Sequence, residues 1–225
     1  PETHMSLACA ARGSALRITE IFHSIQGESA LLGWPTVFVR LTGCPLRCHY
    51  CDTAYAFHGG VEYGQDEVLD QVAAFQCRHV CVTGGEPLAQ SACLPLLKAL
   101  ADAGHVVSLE TSGALPLNEV DPRIIKVVDI KTPDSGEVSR NLWENMSSLT
   151  PRDQLKFVIC SREDFDWAIS EIRDRDLTQL CEVFVSPSHG AVNPEALAGW
   201  LLETRLPIRL QMQMHKLIWG ERPGH

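Results

Sequence analysis

Short apolar runs alternate with segments of helical periodicity along most of this chain. Residues 36–41 (TVFVRL) are β-branched and apolar on both sides of Arg40, which is typical of a strand buried on both faces. Residues 65–75 instead repeat apolar side chains at helical spacing. By the same two criteria we predict strands at 17–25, 80–83, 106–110, 124–130, 156–160, 182–185 and 208–212, helices at 91–103, 164–173 and 195–203, and a loop at 54–64.

Alternating strands and helices predict βαβ units with parallel strands. Each predicted strand ends in a polar or glycine-rich cluster, and in a parallel barrel such clusters gather on one rim. A complete eight-unit barrel typically needs about 250 residues. Since the chain has 225 residues and about six such units, we predict an α/β fold that is an incomplete TIM-type β/α barrel of about six parallel strands. An open doubly wound sheet is the alternative, which periodicity alone does not separate from a barrel.

Composition places the chain among soluble globular proteins, with 45% hydrophobic and 21% charged residues. We expect one domain at 17–225, preceded by a tail at 1–16 that begins with vector-derived residues before Met5. We see no signal peptide and no apolar run long enough to span a membrane. A net charge of −9 disfavours nonspecific binding to phosphate backbones. We therefore expect neither a membrane nor a nucleic-acid partner.

Three clustered cysteines dominate the candidate chemistry. Cys44, Cys48 and Cys51 form a C-x3-C-x2-C pattern, and the chain has nine cysteines, an odd total. An odd total with one cluster argues against a disulfide scaffold and for the reducing cytoplasm. A [4Fe-4S] cluster takes one thiolate per iron, so three cysteines leave one iron open to a ligand. The alternative is a zinc-binding interaction module, with His49 or a distant residue as the fourth ligand.

This cysteine spacing resembles that of the radical S-adenosylmethionine (SAM) enzymes, and GGEP at 84–87 follows a predicted strand like the SAM-binding turn of those enzymes. The segments IFHSIQGES, VRLTGCPLRCHYCDT, TGGEP, ETSG and MQMHK resemble the 7-carboxy-7-deazaguanine synthase family, from about Arg17 to the C-terminus. Two departures stand out. Ser29 occupies a position where the family often has glycine, and Asp129-Ile130-Lys131 stands where many members have Ser-Pro-Lys.

The resemblance implies a barrel of the radical SAM type and a role for each matching residue. Cys44, Cys48 and Cys51 would ligate the [4Fe-4S] cluster, and the Thr53 hydroxyl would ligate Mg²⁺. The implied SAM-binding residues are Tyr50, Cys51, Asp52, Gly84, Gly85, Glu86, Ser112, Asp129, Lys131, Ser186, Pro187, Ser188 and His189. The implied substrate-binding residues are Ile25, Gln26, Gly27, Glu28, Arg40, Thr83, His215 and His225.

Ordinary structural roles remain the alternative for several of these residues. Glu28 and Arg40 have opposite charges and would then simply pair with each other. Thr53 would be a turn residue that caps the following segment through its backbone.

The resemblance also implies a reaction: 6-carboxy-5,6,7,8-tetrahydropterin becomes 7-carboxy-7-deazaguanine with loss of ammonia, as in queuosine biosynthesis. In the implied mechanism, a reduced cluster gives one electron to SAM, and the resulting 5′-deoxyadenosyl radical takes a hydrogen atom from C6 of the substrate and later returns it. An electron donor such as flavodoxin or ferredoxin and a homodimer are implied as well. The nearest alternative enzyme is an activase that places a glycyl radical on a partner protein, because it shares C-x3-C-x2-C and GGEP.

Overall fold

The computed structural model describes residues 15–220, 222 and 224. Its strands are β1 (Leu16–Ile25), β2 (Pro35–Leu41), β3 (Val61–Tyr63), β4 (His79–Gly84), β5 (Val106–Thr111), β6 (Ile125–Ile130), β7 (Gln154–Ile159), β8 (Glu182–Pro187) and β9 (Ile208–Leu210). Its α-helices are α1 (Gln65–Ala74), α2 (Cys93–Asp102), α3 (Arg162–Asp174), α4 (Pro194–Thr204) and α5 (Met214–Trp219). Across the described ranges, every helix is too short or too polar to cross a bilayer.

The nine strands of the described residues form one sheet in the order β3-β1-β2-β4-β5-β6-β7-β8-β9. From β2 to β9 every neighbouring pair is parallel, whereas β1 is antiparallel to both β2 and β3. The parallel strands follow one another without the reversal that defines a doubly wound sheet, so their winding is that of a barrel. The order starts at β3 and ends at β9 without returning, which confirms the predicted incomplete barrel. Its described part has seven parallel strands, where about six were expected.

Helices α1 to α4 pack against β1, β5, β7 and β9 respectively and bury the core. Leu96, Leu97 and Leu100 of α2 are inaccessible to solvent, and Phe165 of α3 is nearly so. Burying a side chain of this size stabilises the fold by about 1.5–3 kcal/mol. Helix α3 begins where the Ser161 hydroxyl accepts a hydrogen bond from the backbone N–H of Asp164 at 3.1 Å. This packing holds the strands whose carboxyl ends carry the candidate site.

Most predicted elements are present close to their expected bounds, and two segments differ. The predicted loop at 54–64 is wrong, because it contains a 3-10 turn at Ala54–Phe57 and the strand β3, which pairs with β1. Strand β3 is three residues long and mostly exposed, so it has no alternating pattern to recognise. Helix α5 was not predicted. Its six residues are too few for helical periodicity to show, and Leu217 and Ile218 are exposed.

Candidate active site

A cavity of about 690 Å³ opens at the carboxyl ends of the parallel strands. Its wall receives one or more residues from almost every strand end, including Arg40, Gly84, Thr111, Asp129 and Ser186. Parallel strands place their carboxyl ends on the same rim, so this gathering is a direct consequence of the topology. The predicted meeting of the polar strand ends on one rim is therefore confirmed.

The cysteine loop at 43–53 lies between two other turns of this rim. The backbone N–H of Glu86 donates to the carbonyl of Gly43 at 2.8 Å, and the backbone N–H of His49 donates to the carbonyl of Ser135 at 3.0 Å. The Arg47 guanidinium also donates from one nitrogen to the carbonyls of Cys44 and Leu46, at 2.7 and 2.6 Å. These bonds fix the loop so that its three cysteines face the cavity.

The donor set of this loop fits a [4Fe-4S] cluster. Cys44, Cys48 and Cys51 are free thiols, partly buried, and all three line the cavity. Burial raises the pKa of Cys48 to about 11 and also raises that of Cys44. Such thiols bind metal with release of their protons, as thiolate ligands do. In the described part of the chain no three His, Cys, Asp or Glu side chains are grouped for a single ion, but a four-iron cluster needs each thiolate on a different iron.

The glycines of the GGEP turn permit close packing against the cysteine loop. A Cβ on Gly85 would lie 2.3 Å from the carbonyl oxygen of Gly43, and one on Gly84 would lie 2.4 Å from that of Leu41. Real side chains do not tolerate such contacts, so only glycine lets the two segments approach this closely. The turn thereby places the predicted SAM-binding residues 84–85 beside the start of the cysteine loop, at Gly43 and Cys44.

Glu86, which the family resemblance implies as a SAM-binding residue, is engaged within the protein. The residue is fully buried and does not line the cavity. Its carboxylate accepts hydrogen bonds from the Thr111 hydroxyl at 2.9 Å, from the backbone N–H of Ser112 at 2.7 Å and from that of Leu88 at 3.0 Å. These bonds saturate much of its acceptor capacity. In this arrangement Glu86 positions Thr111 and Ser112, which do line the cavity.

Two buried polar atoms at one side of the cavity have no hydrogen-bond partner within the described residues. They are the hydroxyl of Tyr50 and Oδ1 of Asp129. The other oxygen of Asp129 accepts from Lys131 Nζ at 2.8 Å, and this nitrogen lies 5.7 Å from the centre of the Tyr50 ring. Burial lowers the pKa of Lys131, but the charge and hydrogen bond of Asp129, together with Cys48 and Glu86, outweigh it and the net shift is upward. Unsatisfied buried groups are costly, so a ligand with polar atoms fits this wall. The predicted SAM residues Ser112, Ser186, Pro187, Ser188 and His189 line the same cavity.

The predicted substrate residues that the structure describes line the same cavity. Gln26 donates to Glu110 at 3.3 Å and Thr83 donates to the same carboxylate at 3.1 Å. Arg40 Nε donates to Glu20 at 2.7 Å, while Glu28 forms an ion pair with Lys156. The alternative that Arg40 and Glu28 pair with each other is therefore wrong. Ile25, Gly27 and His215 also line the cavity, whereas His225 lies outside the described residues.

Asp52 connects Thr53 to Lys216 of helix α5, and all three residues line the cavity. The Thr53 hydroxyl donates to Asp52 Oδ1 at 2.9 Å, and Lys216 Nζ donates to Asp52 Oδ2 at 2.7 Å. Burial raises the pKa of Asp52, but these two hydrogen bonds and the Lys216 charge outweigh it and bring the value to about 2. Asp52 therefore stays ionised at neutral pH. Thr53 and Asp52 both line the cavity and offer a hydroxyl and a carboxylate oxygen side by side, which are ligand types that Mg²⁺ prefers.

Comparison with known proteins decides the family. The sequence model of the Radical SAM superfamily matches residues 38–129. The 7-carboxy-7-deazaguanine synthase of Chlorobaculum tepidum is 46% identical over 208 residues, which cover 91% of this chain and 94% of the relative. That of Koribacter versatilis is 42% identical over 219 residues, covering 91% and 97%. The chain belongs to the 7-carboxy-7-deazaguanine synthase family. It is an enzyme of the radical SAM superfamily, and membership of that superfamily implies a [4Fe-4S] cluster and SAM.

Solved structures agree with this family at the level of the fold. The crystal structure of QueE from Escherichia coli superposes with a TM-score of 0.72 at 24% identity, covering 89% of this chain and 95% of that one. Streptococcus suis SuiB bound to S-adenosylmethionine superposes at 0.55 with 14% identity, covering 76% and 44%. The partial barrel is thus shared. The family assignment sets aside both the glycyl-radical activase and the zinc-binding module.

Four polar residues of the site were missed by the sequence analysis. Glu110, Lys156, Gln213 and Lys216 all line the cavity and all bond to predicted site residues. Glu110 lies within the ETSG segment, two residues before Ser112, so this segment already indicated Glu110 as a candidate site residue. Lys156 stands between the apolar Leu155 and Phe157, and a charge within a largely buried strand is a signal of the same kind. Gln213 and Lys216 lie within the MQMHK segment, which therefore offered the same signal as ETSG.

Proposed function

We propose that this enzyme converts 6-carboxy-5,6,7,8-tetrahydropterin to 7-carboxy-7-deazaguanine with loss of ammonia, as a step of deazapurine biosynthesis such as that of queuosine. The observation that carries the proposal is a polar edge of the cavity formed by Gln26, Glu28, Thr83 and Glu110. A pterin presents ring N–H and amino donors, and the carboxylates of this edge accept such bonds. The edge shares one cavity with the three cysteines, so a bound pterin lies near the cluster.

Arg40 is the group that suits the substrate's carboxylate. Its Nε is engaged by Glu20, and the remaining guanidinium nitrogens have no hydrogen-bond partner among the described residues. Arg40 Cζ lies 5.9 Å from the centre of the Phe22 ring and 5.8 Å from that of the Tyr55 ring, so the two aromatic rings hold the guanidinium in place. A positioned guanidinium binds a carboxylate through two parallel hydrogen bonds.

The cofactor side of the cavity supplies the reactivity. When bound, the cluster and SAM supply the one-electron chemistry that starts the reaction. Cys44, Cys48 and Cys51 would hold the cluster, and the wall around Asp129 and Lys131 would hold SAM. The protein's own contribution is to orient the substrate and to exclude water.

A Mg²⁺ ion completes the proposal. The Thr53 hydroxyl would bind it directly, with substrate oxygens and water filling the octahedron, because Mg²⁺ usually keeps several waters and uses few protein groups. Asp52 accepts a hydrogen bond from Thr53 and would orient its oxygen toward the metal. We further propose a flavodoxin or ferredoxin as electron donor, a homodimeric assembly and a location in the cytoplasm.

Anaerobic turnover tests this function. The protein is reconstituted with iron and sulfide and supplied with SAM, dithionite, Mg²⁺ and 6-carboxytetrahydropterin carrying deuterium at C6. We expect product absorbance in the ultraviolet, ammonia in equal amount, and deuterium in recovered SAM, because the hydrogen atom returns after each cycle. Formation of 5′-deoxyadenosine in stoichiometric amounts without deazaguanine would overturn the proposal. A Cys48→Ala protein serves as the inactive control.

A further inference from the structure

Lys156 lies in the middle of β7 and extends into the cavity, yet neither the family resemblance nor the motifs give it a role. Its backbone is paired with Asp129 on β6 and with Phe184 on β8. Its ammonium group forms an ion pair with the Glu28 carboxylate, 128 positions away in sequence. Only 14% of the lysine side chain and 11% of the glutamate side chain are accessible to solvent. The pair therefore lies inside the substrate wall and not on the surface.

Glu28 has three polar neighbours from three parts of the fold. Lys156 approaches from β7, Gln213 donates to the second carboxylate oxygen at 2.7 Å from just before α5, and His215 approaches from α5 itself. Burial on its own raises the pKa of Glu28. The charge and hydrogen bond of Lys156, aided by Gln213, more than offset burial and lower the pKa below its ordinary value. Without Lys156, the desolvated carboxylate would favour its protonated form.

The lysine is itself held in the charged state by its surroundings. Burial lowers the pKa of Lys156, but the carboxylates of Glu28, Asp129 and Glu110 outweigh that effect and raise it above its ordinary value. The cation thus faces Glu28 of the predicted substrate set and Asp129 of the predicted SAM set. A buried charge with this many partners is costly to remove, because its partners then stay buried without compensation.

We propose that Lys156 is a positioning residue for substrate recognition, which holds the Glu28 carboxylate ionised and, together with Gln213, oriented to accept N–H bonds from the pterin ring. An ionised carboxylate presents acceptors only, whereas a protonated one presents a donor that opposes a ring N–H. The inference rests on the proposed function for its ligand. The control of Glu28 by Lys156 does not depend on that ligand and is tested separately.

A merely structural ion pair is the competing explanation, and the chain offers a matched control. Lys126 and Asp153 form a second buried ion pair at 3.1 Å, with side chains only 3% and 1% accessible, and neither residue lines the cavity. Loss of Lys126 should lower the melting temperature without changing how substrate binding depends on pH. Loss of Lys156 should change that dependence.

The first test measures Glu28 in the reconstituted enzyme without substrate. Infrared spectra across pH are compared for the parent, Lys156→Met and the double variant Glu28→Gln/Lys156→Met. We expect a protonated carboxyl band in Lys156→Met that is absent from the parent and from the double variant. Lys156→Gln replaces the methionine variant if the latter does not fold. Identical carboxyl titrations in the parent and in the single variant would overturn the inference.

The second test measures the dissociation constant for 6-carboxytetrahydropterin by anaerobic calorimetry between pH 6 and 8. Because removal of Lys156 raises the pKa of Glu28, affinity should fall as pH falls, by about tenfold per pH unit below that raised pKa. Lys156→Arg should keep the parent profile, and the double variant should bind weakly with no such additional dependence. A Lys156→Met profile parallel to that of the parent would contradict the inference, whereas failure of the parent to bind the pterin would instead contradict the proposed function.

Discussion

Substitution of Gly27 by alanine should weaken the packing of helix α5 against the cavity wall. A Cβ at Gly27 would lie 2.1 Å from Nδ1 of His215 and 2.8 and 2.9 Å from its Cγ and Cβ. Rotation of the His215 side chain moves its ring but not its Cβ. The contact between this Cβ and the added methyl group is therefore relieved only if the helix shifts. The backbone N–H of Met214 donates to the carbonyl of Gly27 at 3.0 Å, and this bond is lost if the helix moves away.

The expected increase in the population of detached α5 follows from the steric penalty and from the contacts that hold the helix in place. Overpacking of this kind costs about 1–3 kcal/mol. The opposing contacts are the Met214 bond to Gly27, the Gln213 bond to Glu28 and the Lys216 pair with Asp52. The two hydrogen bonds contribute about 1 kcal/mol each, and the half-exposed ion pair adds at most about 1 kcal/mol. A steric penalty near the middle of that range is about 2 kcal/mol. It would raise the population of the detached helix roughly thirtyfold over that in the parent, because about 1.4 kcal/mol corresponds to a factor of ten.

Hydrogen exchange followed by mass spectrometry checks this expectation. Peptides covering 213–220 should exchange about thirtyfold faster in Gly27→Ala, while those of α2 and α3 should be unchanged. The double variant Gly27→Ala/His215→Ala removes most of the clashing atoms and should recover much of the protection. Unchanged exchange in the single variant, or no recovery in the double variant, would show that α5 is not held against Gly27.

Three further predictions concern the metal sites and one strained residue. Thr53→Val should lose the Mg²⁺ response of turnover after treatment with a chelator, whereas Thr53→Ser should keep it; a valine variant that responds like the parent would place the metal elsewhere. Cys48→Ala should lose most of its bound iron, whereas Cys77→Ala should keep it, as judged by iron analysis and absorbance. Ser29→Gly should change the free energy of unfolding by less than about 1 kcal/mol. Glycine relieves the positive φ, but it removes the hydrogen bond from Leu31 N–H to the Ser29 hydroxyl and raises the entropy of the unfolded chain. A large loss of stability on denaturant titration would contradict that balance.

The barrel could be predicted because its central strands are buried on both faces. Strands such as β4 and β8 are nearly continuous apolar runs with polar residues after them, so each run identifies both a strand and its place on the rim. The segments that were missed lack this signal. Strand β3 forms because β1 offers an antiparallel edge, which is a tertiary effect and not a local preference. Helix α5 is held by its contacts with Gly27, Glu28 and Asp52, and its own six residues specify little.

The residues of the site likewise divide into those that a local sequence pattern indicated and those that only the tertiary structure brings together. The cysteine loop and the GGEP turn carry their chemistry in adjacent residues, so spacing alone indicated them. The pairing of Lys156 with Glu28 depends on the strand order and register that bring β7 opposite the end of β1, and no local pattern encodes it. Glu86 has a structural role that its place in the GGEP turn did not indicate. Its carboxylate accepts hydrogen bonds from Ser112 and Thr111 and so holds the wall together, while its contact with SAM stays a prediction.

The segment at 26–30 joins the two sides of the open barrel without strand pairing. Ser29 donates its backbone N–H to the Gln211 side chain at 2.8 Å and accepts from the same side chain at 3.0 Å, next to β9. Ala30 donates to Gln154 of β7 at 2.8 Å. Because Ser29 has φ of 67°, a region that favours glycine, these buried bonds hold a conformation that the serine alone disfavours. The backbone of this turn spans the opening between the two sides of the barrel, while Gln26 and Glu28 line the cavity. Ser29, where the family often has glycine, therefore keeps the backbone conformation that places these two side chains in the substrate wall.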